Sequence, residues 1–324
     1  MFMPKLLTIA IPTYNRVEHL IKYIPYLLPQ LNDECELVII DNHSDYIVEE
    51  KLKHVLINFK DKNIRFVRNP FNNGLFGNIL KCFEECKTKW LYIIGDDDKL
   101  SDNGLSLILQ DIKNNSECLN ISYQWHPEKV WSQNRPKLTH GMLDYMKSVE
   151  AIHNIMYLSS NVYNAKELSK YFKTGHYFQL TSAPHLVLLL MALDKIENAK
   201  VYLSNQFLVD NLYQEVDKHK TWDRLDFFRN NKLLLDLPLS RVNKKYLFIL
   251  YKKSYPIQKF LWFYLNLKHT HKLDALLEFE KAINYYKIYS SFSDKFKIFI
   301  CKILLLFPKL SIQLINVLTN NRLS

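Results

Sequence analysis

Short apolar runs rich in β-branched and aromatic residues alternate with stretches of helical period along the first hundred residues. Lys5 to Ile11 reads as a strand closed by Pro12, and Glu36–Ile40, Ile64–Val67 and Trp90–Ile94 read as three more. Between the first two, Leu20, Ile21, Ile24, Leu27, Leu28 and Leu31 share a helical face from Val17 to Leu31 despite Pro25. Further helices are predicted over Ile47–Phe59 and Phe76–Cys86. Runs apolar on both sides belong to strands buried on both faces. Strand–helix alternation at this pace predicts a doubly wound, mostly parallel sheet. Such sheets bind ligands at the carboxyl ends of their strands.

Polar side chains punctuate three of those ends: Thr13-Tyr14-Asn15, Asp41-Asn42 and Asp96-Asp97-Asp98. The last set follows Gly95 and calls for a cation, because adjacent carboxylates repel one another. A hard divalent ion, Mg²⁺ or Mn²⁺, bound through carboxylate oxygens and substrate phosphates suits it. Alternate residues of an extended stretch share a face, so Asp96 and Asp98 are expected to address one site while Asp97 points away. The competing reading is a solvated acidic turn that caps the next helix with Ser101 or Asp102. Neither GxGxxG nor GxxxxGK[ST] occurs, so neither the usual dinucleotide fold nor a P-loop is supported.

Thr8-Ile-Ala-Ile-Pro-Thr-Tyr-Asn-Arg16, Val38-Ile-Ile-Asp-Asn-His-Ser44, Asn72-Asn-Gly74 with Asn78, and Gly95-Asp-Asp-Asp98 together resemble the family 2 glycosyltransferases of GT-A fold. The similarity covers the first third of the chain, and the order and spacing of four motifs make it specific. It implies a Rossmann-like, mostly parallel central sheet with a C-terminal helical extension. It also implies an inverting, metal-dependent hexosyl transfer from a nucleotide sugar, with UDP as the carrier and Mn²⁺ or Mg²⁺ as cofactor. Pro12, Thr13, Tyr14 and Asn15 would lie around the nucleobase. Asp41 would accept from a uracil N–H and Arg68 would lie near the base or diphosphate. Asn73, Gly74, Asn78 and Asp97 would border the nucleotide. Asp96 would contact the ribose and, with Asp98, the metal. The competing roles are a helix cap for Asp41, a surface charge for Arg68 and a turn residue for His43.

The acceptor's base is a departure from the pattern. Family members usually carry an acidic residue, often in a Glu-Asp pair, well past the metal motif, whereas here Leu180–Met191 holds His185 after Pro184. A helix N-terminus favours neutral imidazole, so His185 is the candidate base, set against a packing role. Asp194 and Asp210 come next. Trp125, His126, Trp131 and Tyr145 are candidates for an acceptor platform or for core, and Ser159-Ser160-Asn161 for the border of the acceptor site.

Composition changes this picture at the tail. The chain has 324 residues, 48% of them hydrophobic, and a net charge of +10. Residues from Ser240 onward hold 15 Lys and Arg against 4 Asp and Glu, leaving 28 against 29 before it. The basicity therefore sits outside the sheet, which argues against nucleic acid as a partner. Residues 1–223 are expected to form the glycosyltransferase domain and 224–324 a basic, aromatic, helical region. Phe296–Leu318 is apolar but broken by Lys302, Pro308 and Lys309, so it reads as lying on an anionic membrane rather than spanning one. Its alternative is packing on the core or on a second copy of the chain, giving a homo-oligomer. Five cysteines without a CxxC, and no signal segment, point to the cytoplasm, peripheral to the inner membrane face. The rival functions are an inactive nucleotide-binding scaffold and a sugar nucleotidyltransferase.

Overall fold

The computed structural model describes residues 5–125, 135–210, 230–256 and 291–306, with residues 277, 280, 281, 283 and 284. The strands are β1 (Leu7–Thr13), β2 (Cys35–Asp41), β3 (Ile64–Arg68), β4 (Trp90–Ile93), β5 (Lys99–Leu100), β6 (Asn120–Gln124), β7 (Lys137–His140), β8 (Asn161–Asn164), β9 (Lys200–Phe207) and β10 (Val209–Asp210). The helices are α1 (Val17–Leu27), α2 (Val48–Leu56), α3 (Gly74–Glu84), α4 (Gly104–Asn114), α5 (Gly141–Ser148), α6 (Ala165–Leu168), α7 (Phe172–Tyr177), α8 (Pro184–Lys195), α9 (Arg241–Ser254) and α10 (Phe292–Leu306).

Eight strands pair in the order β3-β2-β1-β4-β8-β6-β9-β7, and β5 and β10 form a separate antiparallel pair. The β3-β2-β1-β4 half is parallel, as the alternating pattern predicts. Beyond β4 the sheet is mixed: β8 runs antiparallel to both β4 and β6, β9 parallel to β6, and β7 antiparallel to β9.

Alternation within the strands divides the core between two faces of the sheet. Leu7, Ile9 and Ile11 of β1 with Leu37 and Ile39 of β2 pack under α1, α2 and α4. Ala10, Val38, Ile40, Leu91 and Ile93 face the other side, against α3, α5 and α8. There α9, in the basic tail, buries Leu247, Phe248, Leu250 and Tyr251, so this part of the tail belongs to the core. The expected boundary at residue 223 lies outside the described residues.

Pro12 does not close β1, which runs on to Thr13. The Thr13 carbonyl turns to β2, accepting from Asn42 N, while Ala10 turns to β4, accepting from Ile94 N. Pro12 lies on Ala10's side, just past the last residue of β4, where a missing N–H costs no ladder bond.

Candidate active site

Three carboxyl ends meet as the topology predicts. Thr13 pairs with Asp41 in register, and Asp41 with Arg68. The Thr13 hydroxyl crosses to the end of β4, donating to Asp96 Oδ2 at 2.8 Å.

Asp41 is buried and doubly held. Its Oδ1 accepts from Ser44 N at 2.8 Å, and its Oδ2 from Arg68 Nη1 at 2.6 Å. The same guanidinium donates to the carbonyls of Tyr46 and Ser44. Arg68 thus fixes the loop after β2, and Asp41 combines the turn-closing role with lone pairs left for a ring N–H. Asn15, at φ 54°, joins this loop to the one after β1. Its backbone N donates to Ser44 Oγ, its side chain donates to Asp45, and its Oδ1 accepts from Asp45 N. Tyr14 between them is exposed.

Asn73 and Gly74 begin α3, with Gly74 at φ +71°, a conformation glycine adopts without steric penalty. An asparagine lattice holds that start in place. Asn42 Nδ2 donates to Asn72 Oδ1 and the Gly74 carbonyl, and its Oδ1 accepts from Asn73 N and Asn69 Nδ2. Asn78 is buried, accepting from Asn69 and donating to the Ile40 carbonyl. Its polar atoms shore up the loop from beneath.

The three aspartates form a turn rather than an extended stretch, with Asp98 N donating to the Gly95 carbonyl. A Cβ at Gly95 would sit 2.9 Å from Asp98 Oδ2 and 3.0 Å from Asp97 Oδ1, so a larger residue there would push both carboxylates from these positions. The turn also regroups the carboxylates. Arg16 bridges Asp96 at 3.0 Å and Asp97 at 2.8 Å. Asp98 turns the other way, its Oδ1 accepting from Tyr157 Oη at 2.7 Å and its Oδ2 from Ser159 Oγ at 2.5 Å. The extended geometry expected of this stretch is not seen: Asp96 shares Arg16 with Asp97, while Asp98 takes hydroxyl partners. Burial pushes Asp96 up to about 7, against the pull of Arg16 and the Thr13 hydroxyl. Asp98 is raised to about 6 by burial, opposed by the hydroxyls of Ser159 and Tyr157.

Among the described residues no cluster of three or more metal-ligating side chains gathers, so there is no all-protein cage. The hard oxygens of Asp98 and Asp96 fit Mg²⁺ or Mn²⁺ held by one or two carboxylates plus a diphosphate. The raised carboxyls fit too, since a cation stabilises the ionised form that burial disfavours.

His185 lies in the first turn of α8, 2% exposed. Its Nε2 meets the Met156 carbonyl at 3.1 Å and its ring lies 6.0 Å from that of Tyr163. Burial lowers its pKa to about 4. The ring is therefore neutral through burial rather than through its place at the helix start, and it is closed off from solvent. Asp194 Oδ1 accepts from Ser240 N and Asn243 Nδ2, holding the start of α9. Asp210 pairs with Lys99 across the small sheet. Trp125 packs on Tyr157 at 5.6 Å and on His153 at 6.3 Å, and Tyr145 is core. His126 and Trp131 lie outside the described residues. Arg16 ends the first motif without an assigned role, and Tyr157 lies in no motif. Their partners are 81 and 59 residues away, beyond any local pattern.

No curated protein matches the sequence. Among solved structures, residues 1–349 of S. aureus TarS superpose with a TM-score of 0.57 at 15% identity, covering 85% of this chain and 80% of that one, and TarS is also described in complex with UDP-GlcNAc. Mannosyltransferase PcManGT from Pyrobaculum calidifontis, in complex with GDP-Man and Mn²⁺, superposes with a TM-score of 0.54 at 11% identity, covering 94% of this chain and 81% of that one. At these identities the likeness concerns the fold. The family model for glycosyl transferase family 2 matches residues 8–180, more than half of the chain, and this GT-A-fold glycosyltransferase therefore belongs to glycosyl transferase family 2.

Proposed function

We propose that the chain transfers a hexosyl group, with inversion, from a UDP-sugar to a hydroxyl of a glycan or lipid-linked acceptor in surface polysaccharide or glycolipid synthesis. The observation that carries this is the meeting of Asp41, Asp96 and Asp98 with the Arg16 and Arg68 guanidinium groups at one set of strand ends. The nucleotide sugars named for TarS and PcManGT support the donor class. In this reading Asp41, with Tyr14 beside it, takes the base, Asp96 takes the ribose, and Asp98 takes the metal. A divalent cation there would neutralise the diphosphate as it leaves. Arg16, released from one carboxylate, can turn to the diphosphate as well.

The exposed face of α10 carries Phe292, Phe296, Phe299, Ile300 and Ile303, with Lys295, Lys297 and Lys302 on the same helix. Among the described residues no helix is long and apolar enough to cross a membrane. An apolar stripe flanked by lysines supports an in-plane position on an anionic leaflet.

The donor assignment is tested by thermal shift with UDP, with and without Mn²⁺. Ligand at a hundred times its Kd stabilises by about 2.7 kcal/mol, a shift of several degrees. Asp98→Asn should abolish the Mn²⁺-dependent part of that shift. An unchanged Mn²⁺ response in this variant would refute the assignment.

A further inference from the structure

The segment before β8 is tied down at successive carbonyls. The Met156 carbonyl meets His185 Nε2 at 3.1 Å. The Tyr157 carbonyl accepts from Asn161 Nδ2 at 2.8 Å and Ser160 Oγ at 3.0 Å. The Ser159 carbonyl accepts from Tyr92 Oη at 2.9 Å. Asn161 is braced in turn, its Oδ1 accepting from Ser122 Oγ at 2.6 Å. Tyr92, Ser122, Asn161 and His185 are all buried. Polar side chains in such a place cost stability unless paired, and apolar residues would fill the same space without that requirement. Here the contacts named fix one turn, while His185 Nδ1 is left without a partner among the described residues.

That turn aims two hydroxyls at Asp98. Tyr157 and Ser159 each donate to a different oxygen of Asp98, and Gly95 N donates to Ser159 Oγ at 2.8 Å, setting the hydroxyl's own orientation. Two donors on two oxygens fix the plane of the carboxylate and leave each oxygen a further lone pair. Both donors are neutral, whereas Asp96 and Asp97 share the Arg16 guanidinium. Asp98 thus keeps neutral close partners, and the Arg16 guanidinium acts on it only from beyond contact distance.

We infer that Tyr157 and Ser159 are positioning residues that hold Asp98 for the divalent cation, and that His185 supports their turn rather than taking the acceptor's proton. This rests on the reading of Asp98 as the cation's ligand. Partners that orient a metal ligand typically change metal affinity 10–100-fold when removed.

Mn²⁺ affinity is read by electron paramagnetic resonance titration with saturating UDP, alongside UDP affinity in EDTA and melting temperature. Tyr157→Phe and Ser159→Ala should each weaken Mn²⁺ binding about 10–100-fold while metal-free UDP affinity stays within about twofold. Ser159→Thr, which keeps the hydroxyl, should restore it. His185→Leu should weaken Mn²⁺ binding, and His185→Gln, whose amide can donate to the Met156 carbonyl, should preserve it. Wild-type Mn²⁺ affinity in Tyr157→Phe and Ser159→Ala, with binding lost in Asp98→Asn, would overturn the inference while leaving the cation site intact. Unchanged binding in Asp98→Asn would overturn both. Turnover lost in both His185 variants at wild-type Mn²⁺ affinity would return the ring to the base role.

Discussion

Replacing Arg16 by glutamine should destabilise the protein in a pH-dependent way. Asp96 is only 7% exposed and sits 3.0 Å from the guanidinium, which is itself 35% exposed. A close ion pair at an effective dielectric of 20 is attracted by about 4 kcal/mol, but a guanidinium one-third open to water is screened, which reduces the expected net value to about 1 kcal/mol. Folding raises the Asp96 pKa to about 7. Its neutral form therefore adds stability that is complete below about pH 4, the unperturbed carboxyl range, and is lost as pH rises through 7. Without Arg16 that loss continues to higher pH, because the buried carboxyl binds its proton still more tightly.

The two proteins should thus differ little at pH 6, where Asp96 is mostly neutral in both. The gap should widen to about 1 kcal/mol by pH 8, within the limit of about 1.4 kcal/mol per proton and pH unit. For a chain of this size that is about 2 °C in melting temperature. The exposed Asp97 pair contributes little. Differential scanning fluorimetry at pH 6, 7 and 8 and matched ionic strength reads the gap directly. A gap that is constant with pH, or larger at pH 6, would refute the coupling of Arg16 to an elevated Asp96.

Asp41→Ala should weaken UDP binding at least tenfold while leaving Mn²⁺ affinity within a few-fold, since Asp41 and Asp98 contact different partners. Calorimetric titration decides, and equal UDP affinity in the two proteins would confine Asp41 to closing its turn. The chain should bind phosphatidylglycerol vesicles and release them in high salt, each lysine near the surface contributing about 1 kcal/mol. Phe296→Ser with Phe299→Ser should weaken that binding in co-sedimentation. Equal partitioning to phosphatidylcholine at every salt concentration would dismiss the electrostatic part of the proposal.

The parallel half of the sheet was legible because its strands are short, apolar and closed by chemically distinct residues. Asp41 and Asp96–Asp98 stand out at strand ends because carboxylates are out of place after Ile40 and Ile94. The strands beyond β4 carry less signal. β6 is Asn-Ile-Ser-Tyr-Gln and β8 Asn-Val-Tyr-Asn, buried segments whose polar residues serve one another across the sheet and so break the apolar run expected of a core strand. Two short 3₁₀ turns, Ile152–Ile155 and Leu158–Ser160, precede the four-residue β8. Asn78 and His185 were visible as unusual residues, but their partners, Asn69 and Met156, are set by tertiary packing alone. Arg16 was legible only as part of a motif, since its carboxylates arrive from the end of a strand three places later in the chain.

The antiparallel insertion of β8 has a direct consequence for the site. A parallel strand beside β4 would bring its own carboxyl end to the crevice, as β1 and β2 do. β8 instead pairs Trp90 with Asn164 and Tyr92 with Val162, so its amino end lies alongside the carboxyl end of β4. Residues before β8 are thereby placed opposite residues after β4, which sets Tyr157 and Ser159 against Asp98. The reversal of one strand thus supplies Asp98 with neutral hydroxyl donors from the facing segment, while Asp96, on the parallel side, receives Thr13 and Arg16 from the end of β1. The different surroundings of the two carboxylates follow from topology, because each takes its partners from whichever chain end its neighbouring strand delivers.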